Sequence, residues 1–78
     1  MTIELKTIQD VKDFVEISSK YNDCAIMVEQ GLYRVDGKST LGIFSLNLLN
    51  PIYVFVNSRS KDSKISFFNN IRKWKKER

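Results

Sequence analysis

A single cysteine, Cys24, leaves this chain no intrachain disulfide with which to brace itself. No histidine occurs either, so a zinc site of ordinary ligand composition is excluded as a staple. The fold must therefore rest on apolar burial alone. A chain of 78 residues buries only roughly 60–65% of its unfolded surface, which makes for a thin core. Its 42% apolar and 12% aromatic content is enough for such a core and too rich for disorder. Residues 1–78 are accordingly read as one domain.

The missing imidazole also restricts chemistry. The side chain best suited to proton transfer near neutral pH is absent, and with it any Ser-His or Cys-His nucleophile pair. Binding, not catalysis, is the expected activity, with no cofactor and no metal. Met1 to Lys6 has neither the charged start nor the apolar stretch of a signal peptide. The longest apolar run, Ile52 to Val56, is far short of the ~20 residues that span a bilayer. The reading is a cytoplasmic protein without a membrane partner, in a reducing compartment.

Alternation and spacing give the elements. Thr2 to Lys6 alternates like a strand. Thr7-x-x-Asp10 is a variant capping box, followed by Ile8, Val11, Phe14, Val15 and Ile17 at helical spacing. Cys24 to Glu29 and Leu32 to Asp36 read as strands joined at Gln30-Gly31, where Gly31 supplies a positive φ. Ser39 to Leu46 reads as a short helix. Asn50-Pro51 marks a turn before the strand Ile52 to Asn57. Ser60 to Lys76 reads as a last helix with Phe67, Phe68, Ile71 and Trp74 on one side. The order β-α-β-β-α-β-α predicts an α+β fold, an antiparallel sheet with its helices on one face.

Gly37-Lys38-Ser39-Thr40 is similar to the end of a phosphate-binding P-loop. The upstream glycine that motif requires falls at Leu32, and a hairpin precedes it instead of a strand entering a crossover helix. Nucleotide binding is rejected.

Val35-Asp36-Gly37-Lys38-Ser39-Thr40-Leu41-Gly42-Ile43-Phe44-Ser45-Leu46 resembles the central segment of HPr, the small phosphocarrier of the bacterial sugar phosphotransferase system. That family reads K-S-hydrophobic-hydrophobic-G-hydrophobic-hydrophobic-S-L there, and only Thr40 departs from it. Ser19-Lys20-Tyr21 also looks like the family's end of its first helix. In element order the resemblance covers roughly residues 2–75, and it implies an HPr-like open-faced sandwich of four antiparallel strands and three helices. The family carries phosphate on a histidine in a G-[LI]-H-A-R-P segment. Lys6-Thr7-Ile8-Gln9-Asp10 stands in that place, so phosphocarrier activity is not expected.

Ser39 matches the family's regulatory serine, which HPr kinase/phosphorylase modifies in many members and which then binds a catabolite-control repressor. The histidine-less catabolite-repression HPr keeps only that second role. The resemblance thus implies a monomeric regulatory or adaptor protein switched at Ser39, with either of those proteins as partner. Lys38, Thr40, Leu41 and Phe44 are the candidate partner-binding residues. Leu41 and Phe44 cannot both be wholly buried if Ile43 and Leu46 face the sheet.

The charge supplies a rival. Residues 59–78 hold eight basic against two acidic side chains, and residues 1–58 hold five against seven. The alternative function is therefore a nucleic-acid- or ribosome-associated module that uses the basic C-terminal helix, including Arg72, Lys73, Lys75 and Lys76. Nucleic acid is the less expected partner, because stacking needs exposed aromatics and Phe67, Phe68 and Trp74 share the side required for the core.

Overall fold

The computed structural model describes residues 1–76. Strand β1 is Thr2–Ile3, helix α1 Ile8–Ser19, strand β2 Cys24–Gln30, strand β3 Tyr33–Asp36, helix α2 Thr40–Phe44, strand β4 Ile52–Ser58 and helix α3 Lys61–Ile71, which runs into a 3-10 turn at Arg72–Trp74. One antiparallel sheet has the order β1-β4-β2-β3. The α+β class and the order β-α-β-β-α-β-α are as the sequence implied.

Register sorts the sheet into two faces. Ile26 pairs with Val56, Val28 with Val54 and with Val35, and Ile3 with Ile52. Apart from Val35, which is half-buried, these side chains are buried. The intervening residues of the central strands, among them Ala25, Tyr53, Phe55 and Asn57, are exposed on the other face. Against the buried face lie Val11 and Phe14 of α1, Ile43 of α2, and Phe67 and Ile71 of α3. Phe14 meets Phe67 and Trp74 edge-on, with centroids 6.2 and 6.1 Å apart, and Tyr21 meets Phe67 at 5.4 Å. Such T-shaped contacts add to the area that the rings bury. They join the two long helices into one layer.

Four element boundaries differ from the sequence reading. The hairpin turn is Gly31-Leu32, one residue later than Gln30-Gly31, because Gln30 pairs with Tyr33. Gly31 does adopt φ +59°, and Leu32 is fully exposed. Strand β1 stops at Ile3, since the Glu4 amide donates to the Trp74 carbonyl. Helix α2 spans Thr40–Phe44 within the predicted 39–46, with Ser39 as its cap. The last helix ends at Ile71 instead of continuing to Lys76.

Among the described residues, Ser18 is the one buried polar side chain in the core. It lies four residues beyond Phe14 on the buried face of α1, and its hydroxyl meets no partner among the described residues. A buried hydroxyl without a partner costs stability, and alanine is the better helix former. Ser18→Ala should therefore stabilise the protein by about 1 kcal/mol, or roughly 4–8 °C in Tm for a domain of this size. Thermal and urea unfolding followed by circular dichroism measure this, and a lower Tm would show that the hydroxyl is satisfied.

Candidate functional site

The site lies where the start of α1, the short helix α2 and the loop before β4 converge. Thr7 caps α1: its hydroxyl accepts from the Asp10 amide at 2.9 Å. The Asp10 carboxylate reaches back and accepts from the Thr7 and Lys6 amides at 3.2 and 3.0 Å. Burial alone would raise the Asp10 pKa, but hydrogen bonds from Lys6, the Trp74 indole and Thr7 outweigh it and hold the carboxyl below its usual range. The chain's own carboxylate thus takes the two amides just ahead of the helix, and the Thr7 hydroxyl takes that of Asp10.

Gly37 places α2. Its amide donates to the Ile26 carbonyl at 2.8 Å, and a Cβ there would stand 2.5 Å from Ile26 Cγ2. Only glycine fits, and beyond it the chain turns off the sheet. The Asp36 carboxylate accepts from the Lys38 amide, and the Ser39 hydroxyl accepts from the Gly42 amide at 3.1 Å. Gly42 lets the short helix sit close on Val35. Beyond α2, the Gln30 side-chain amide donates to the Asn47 carbonyl at 2.6 Å and accepts from its amide at 2.8 Å. That clamp fastens the loop to the end of β2.

With Ile43 and Leu46 buried, Leu41 is left 84% exposed and Phe44 41% exposed. Ile8 at the first position of α1 and Leu49 in the clamped loop are exposed as well. Ile8, Phe44 and Leu49 line one shallow hollow together with Leu5 and Leu48. The predicted pair Leu41 and Phe44 is therefore accessible, and Thr40 beside it is half-buried. The sequence reading groups Ile8 with the apolar spacing of α1 and leaves Leu49 unassigned. The available signal for Leu49 was Leu48-Leu49 ahead of Asn50-Pro51, an apolar pair with no helical or strand period to bury it.

Lys38 is placed differently from Leu41 and Phe44. Its ammonium donates to the Tyr21 and Cys24 carbonyls, both at 2.8 Å. It ties the end of α1 to the β3–α2 turn. In the basic C-terminal segment, Phe67, Ile71 and Trp74 are buried, and Phe68 packs against the core. The Lys73 ammonium lies 4.8 Å from the centre of the Trp74 ring, and the Lys76 ammonium lies 3.9 Å from the Glu4 carboxylate. Glu77 and Arg78, the end of that segment, lie outside the described residues. Among the described residues no cluster of acidic or cysteine side chains could hold a metal, and no helix is long and apolar enough to cross a membrane.

The architecture has a solved counterpart. The crystal structure of HPr-C-His from Thermoanaerobacter tengcongensis superposes with a TM-score of 0.73 at 25% identity, over 92% of this chain and 89% of that one. The fold is HPr-like. No protein-family model and no curated protein matches the sequence.

The capping box makes stability depend on pH. Because the folded Asp10 pKa is depressed, its contribution is present above the ordinary carboxylate range and is lost as pH falls through the folded value. Asp10→Ala should lower Tm near neutral pH by the equivalent of about 1 kcal/mol. The gap between variant and parent should close in acid. A gap independent of pH would mean that charge plays no part in the cap.

Proposed function

We propose that this protein is an HPr-like regulatory adaptor of the phosphoenolpyruvate-dependent sugar phosphotransferase system, without histidine phosphotransfer and switched by phosphorylation of Ser39. The observation that carries the reading is the set of exposed apolar side chains Ile8, Phe44 and Leu49 around one hollow, with Leu41 exposed three residues before Phe44 on the helix that Ser39 caps. Scattered apolar residues are ordinary on a surface, whereas a grouped patch marks a binding site. The likeness to HPr-C-His supports the choice of system. The sequence Lys38-Ser39-Thr40-Leu41-Gly42 supports the choice of residue.

Loss of the histidine and retention of the patch separate docking from transfer. A phosphate on Ser39 would add a charge of about −1.5 to −2 beside Leu41. It would meet the Gly42 amide, which the hydroxyl already faces. Lys38 contributes its backbone to this turn, and its ammonium is engaged on the other side. The modification would therefore leave the fold intact and change what a partner reads, favouring one that presents arginine. HPr kinase/phosphorylase and a catabolite-control repressor are the partners this reading names. Nucleic acid as a partner of the basic segment has less support, since the aromatics that stacking would use are packed in the core.

The test is incubation with the host's HPr kinase/phosphorylase and ATP, followed by peptide mapping, with authentic HPr in the same tube. Ser39 should be modified, and Tm should stay the same or rise slightly. Leu41→Ser should keep the parental Tm yet slow modification about tenfold, as expected for an exposed side chain used only in docking. Phosphorylation of HPr with Ser39 left untouched would overturn the reading. So would equal rates for the parent and Leu41→Ser.

A further inference from the structure

The two edges of the sheet are treated differently. Outside β1, the chain's own C-terminal segment closes the edge: the Glu4 amide donates to the Trp74 carbonyl, the Lys76 amide donates to the Thr2 carbonyl, and Ile3 bridges Lys75. Outside β3 no described element pairs, because the sheet ends there. The direction of the free groups follows from register. Tyr33 closes the hairpin against Gln30, Val35 pairs with Val28, and the Gly37 amide donates to Ile26. In an antiparallel ladder these alternate residues spend their backbone groups on β2. Arg34 and Asp36 therefore turn theirs outward. The Asp36 carbonyl already accepts from the Ser39 amide and keeps a second lone pair. An open edge is a template for a further strand, and proteins usually blunt or cover it.

We propose that the β3 edge pairs with the β3 edge of a second copy of this chain, antiparallel and centred on Val35, so that the two sheets join across a two-fold axis. Charge selects that occupant and that register. Centring on Val35 sets Arg34 opposite Asp36 of the second copy, and the reciprocal pair forms by symmetry. These are also the two residues whose backbone groups face outward, so each pair can exchange both ladder hydrogen bonds. Centring on Arg34 or on Asp36 would set like charges opposite each other, which is unfavourable. Arg34 now reaches only Glu29 on its own chain and has donors to spare for a second carboxylate. Tyr33, 72% exposed, would fall opposite Gly37 of the second copy, where an aromatic ring can cover the missing side chain. One short strand makes a small contact, so association is weak, with half-dimerisation at about 1 mM.

The test is sedimentation equilibrium and amide NMR on the full chain from dilute to about 1 mM. Mass should climb from 9.1 kDa toward twice that value. The amides of Arg34 and Asp36 should shift and slow in exchange with concentration, while those of Tyr33, Val35 and Gly37 keep the protection they have when dilute. Asp36→Arg should remain at monomer mass at the highest concentration. Because that change also removes the acceptor of the Lys38 amide, Asp36→Asn serves as a second variant that keeps this acceptor and should dimerise more weakly than the parent. A mass fixed at 9.1 kDa overturns the proposal. Concentration-dependent shifts confined to Tyr53 and Phe55, or to Leu41 and Phe44, overturn it in favour of another face. A dimer indifferent to both Asp36 variants overturns it as well.

Discussion

The contact between Gly37 and Ile26 sets up everything on the functional side of the molecule. A hydrogen bond of 2.8 Å from the Gly37 amide to the Ile26 carbonyl brings the two backbones together where no Cβ could fit. It ends β3 against the centre of the sheet and sends the chain over the buried face. Lys38 then ties the turn to the end of α1, Ser39 caps α2, and Ile43 drops into the core. Once Ile43 and Leu46 face inward, the helical period leaves Leu41 and Phe44 outside. The patch is a geometric consequence of a glycine.

Under the proposed function, that geometry is what lets docking outlast transfer. Leu41, Phe44 and Leu49 need α2 held over the sheet and the following loop held by Gln30, and Ile8 needs only a capped first turn of α1, with no reactive group there. At that start, where an HPr would present its histidine, Thr7 and Asp10 cap each other, and the Asp10 carboxylate takes the Lys6 and Thr7 amides. A carboxylate fixed at a helix start repels an incoming phosphate and takes up part of the favourable dipole there. The start of α1 is a closed cap, and Ile8 remains exposed beside it.

Much of this was legible in the sequence because local rules and tertiary packing agree. The Val35–Leu46 segment carries its own turn, cap and close-approach glycines, so the existence and extent of α2 follow from residues next to one another, while its seat on the sheet depends on Ile26. Ile52 to Asn57 reads as a strand and is one, but its unbroken apolar run gives no sign that Tyr53 and Phe55 face outward. What escaped depends on distant residues. The hairpin turn fell one residue later because pairing of Gln30 with Tyr33 puts the positive φ of Gly31 first in the turn. β1 lost its second half to backbone bonds with Trp74, which lies at the other end of the chain. Lys38 sits within the motif, yet its ammonium serves carbonyls of residues 21 and 24. Ile8 fits the apolar spacing of α1 but occupies its first turn, beyond the edge of the core.

The proposed function requires an HPr-like fold that keeps a docking surface without the phosphorelay. Intact-mass analysis after incubation with phosphoenolpyruvate and the system's first enzyme, with authentic HPr present in the same tube, tests that separation most directly. HPr should gain a phosphoryl group and this chain none. An acid-labile, alkali-stable phosphoryl adduct on this chain would contradict it.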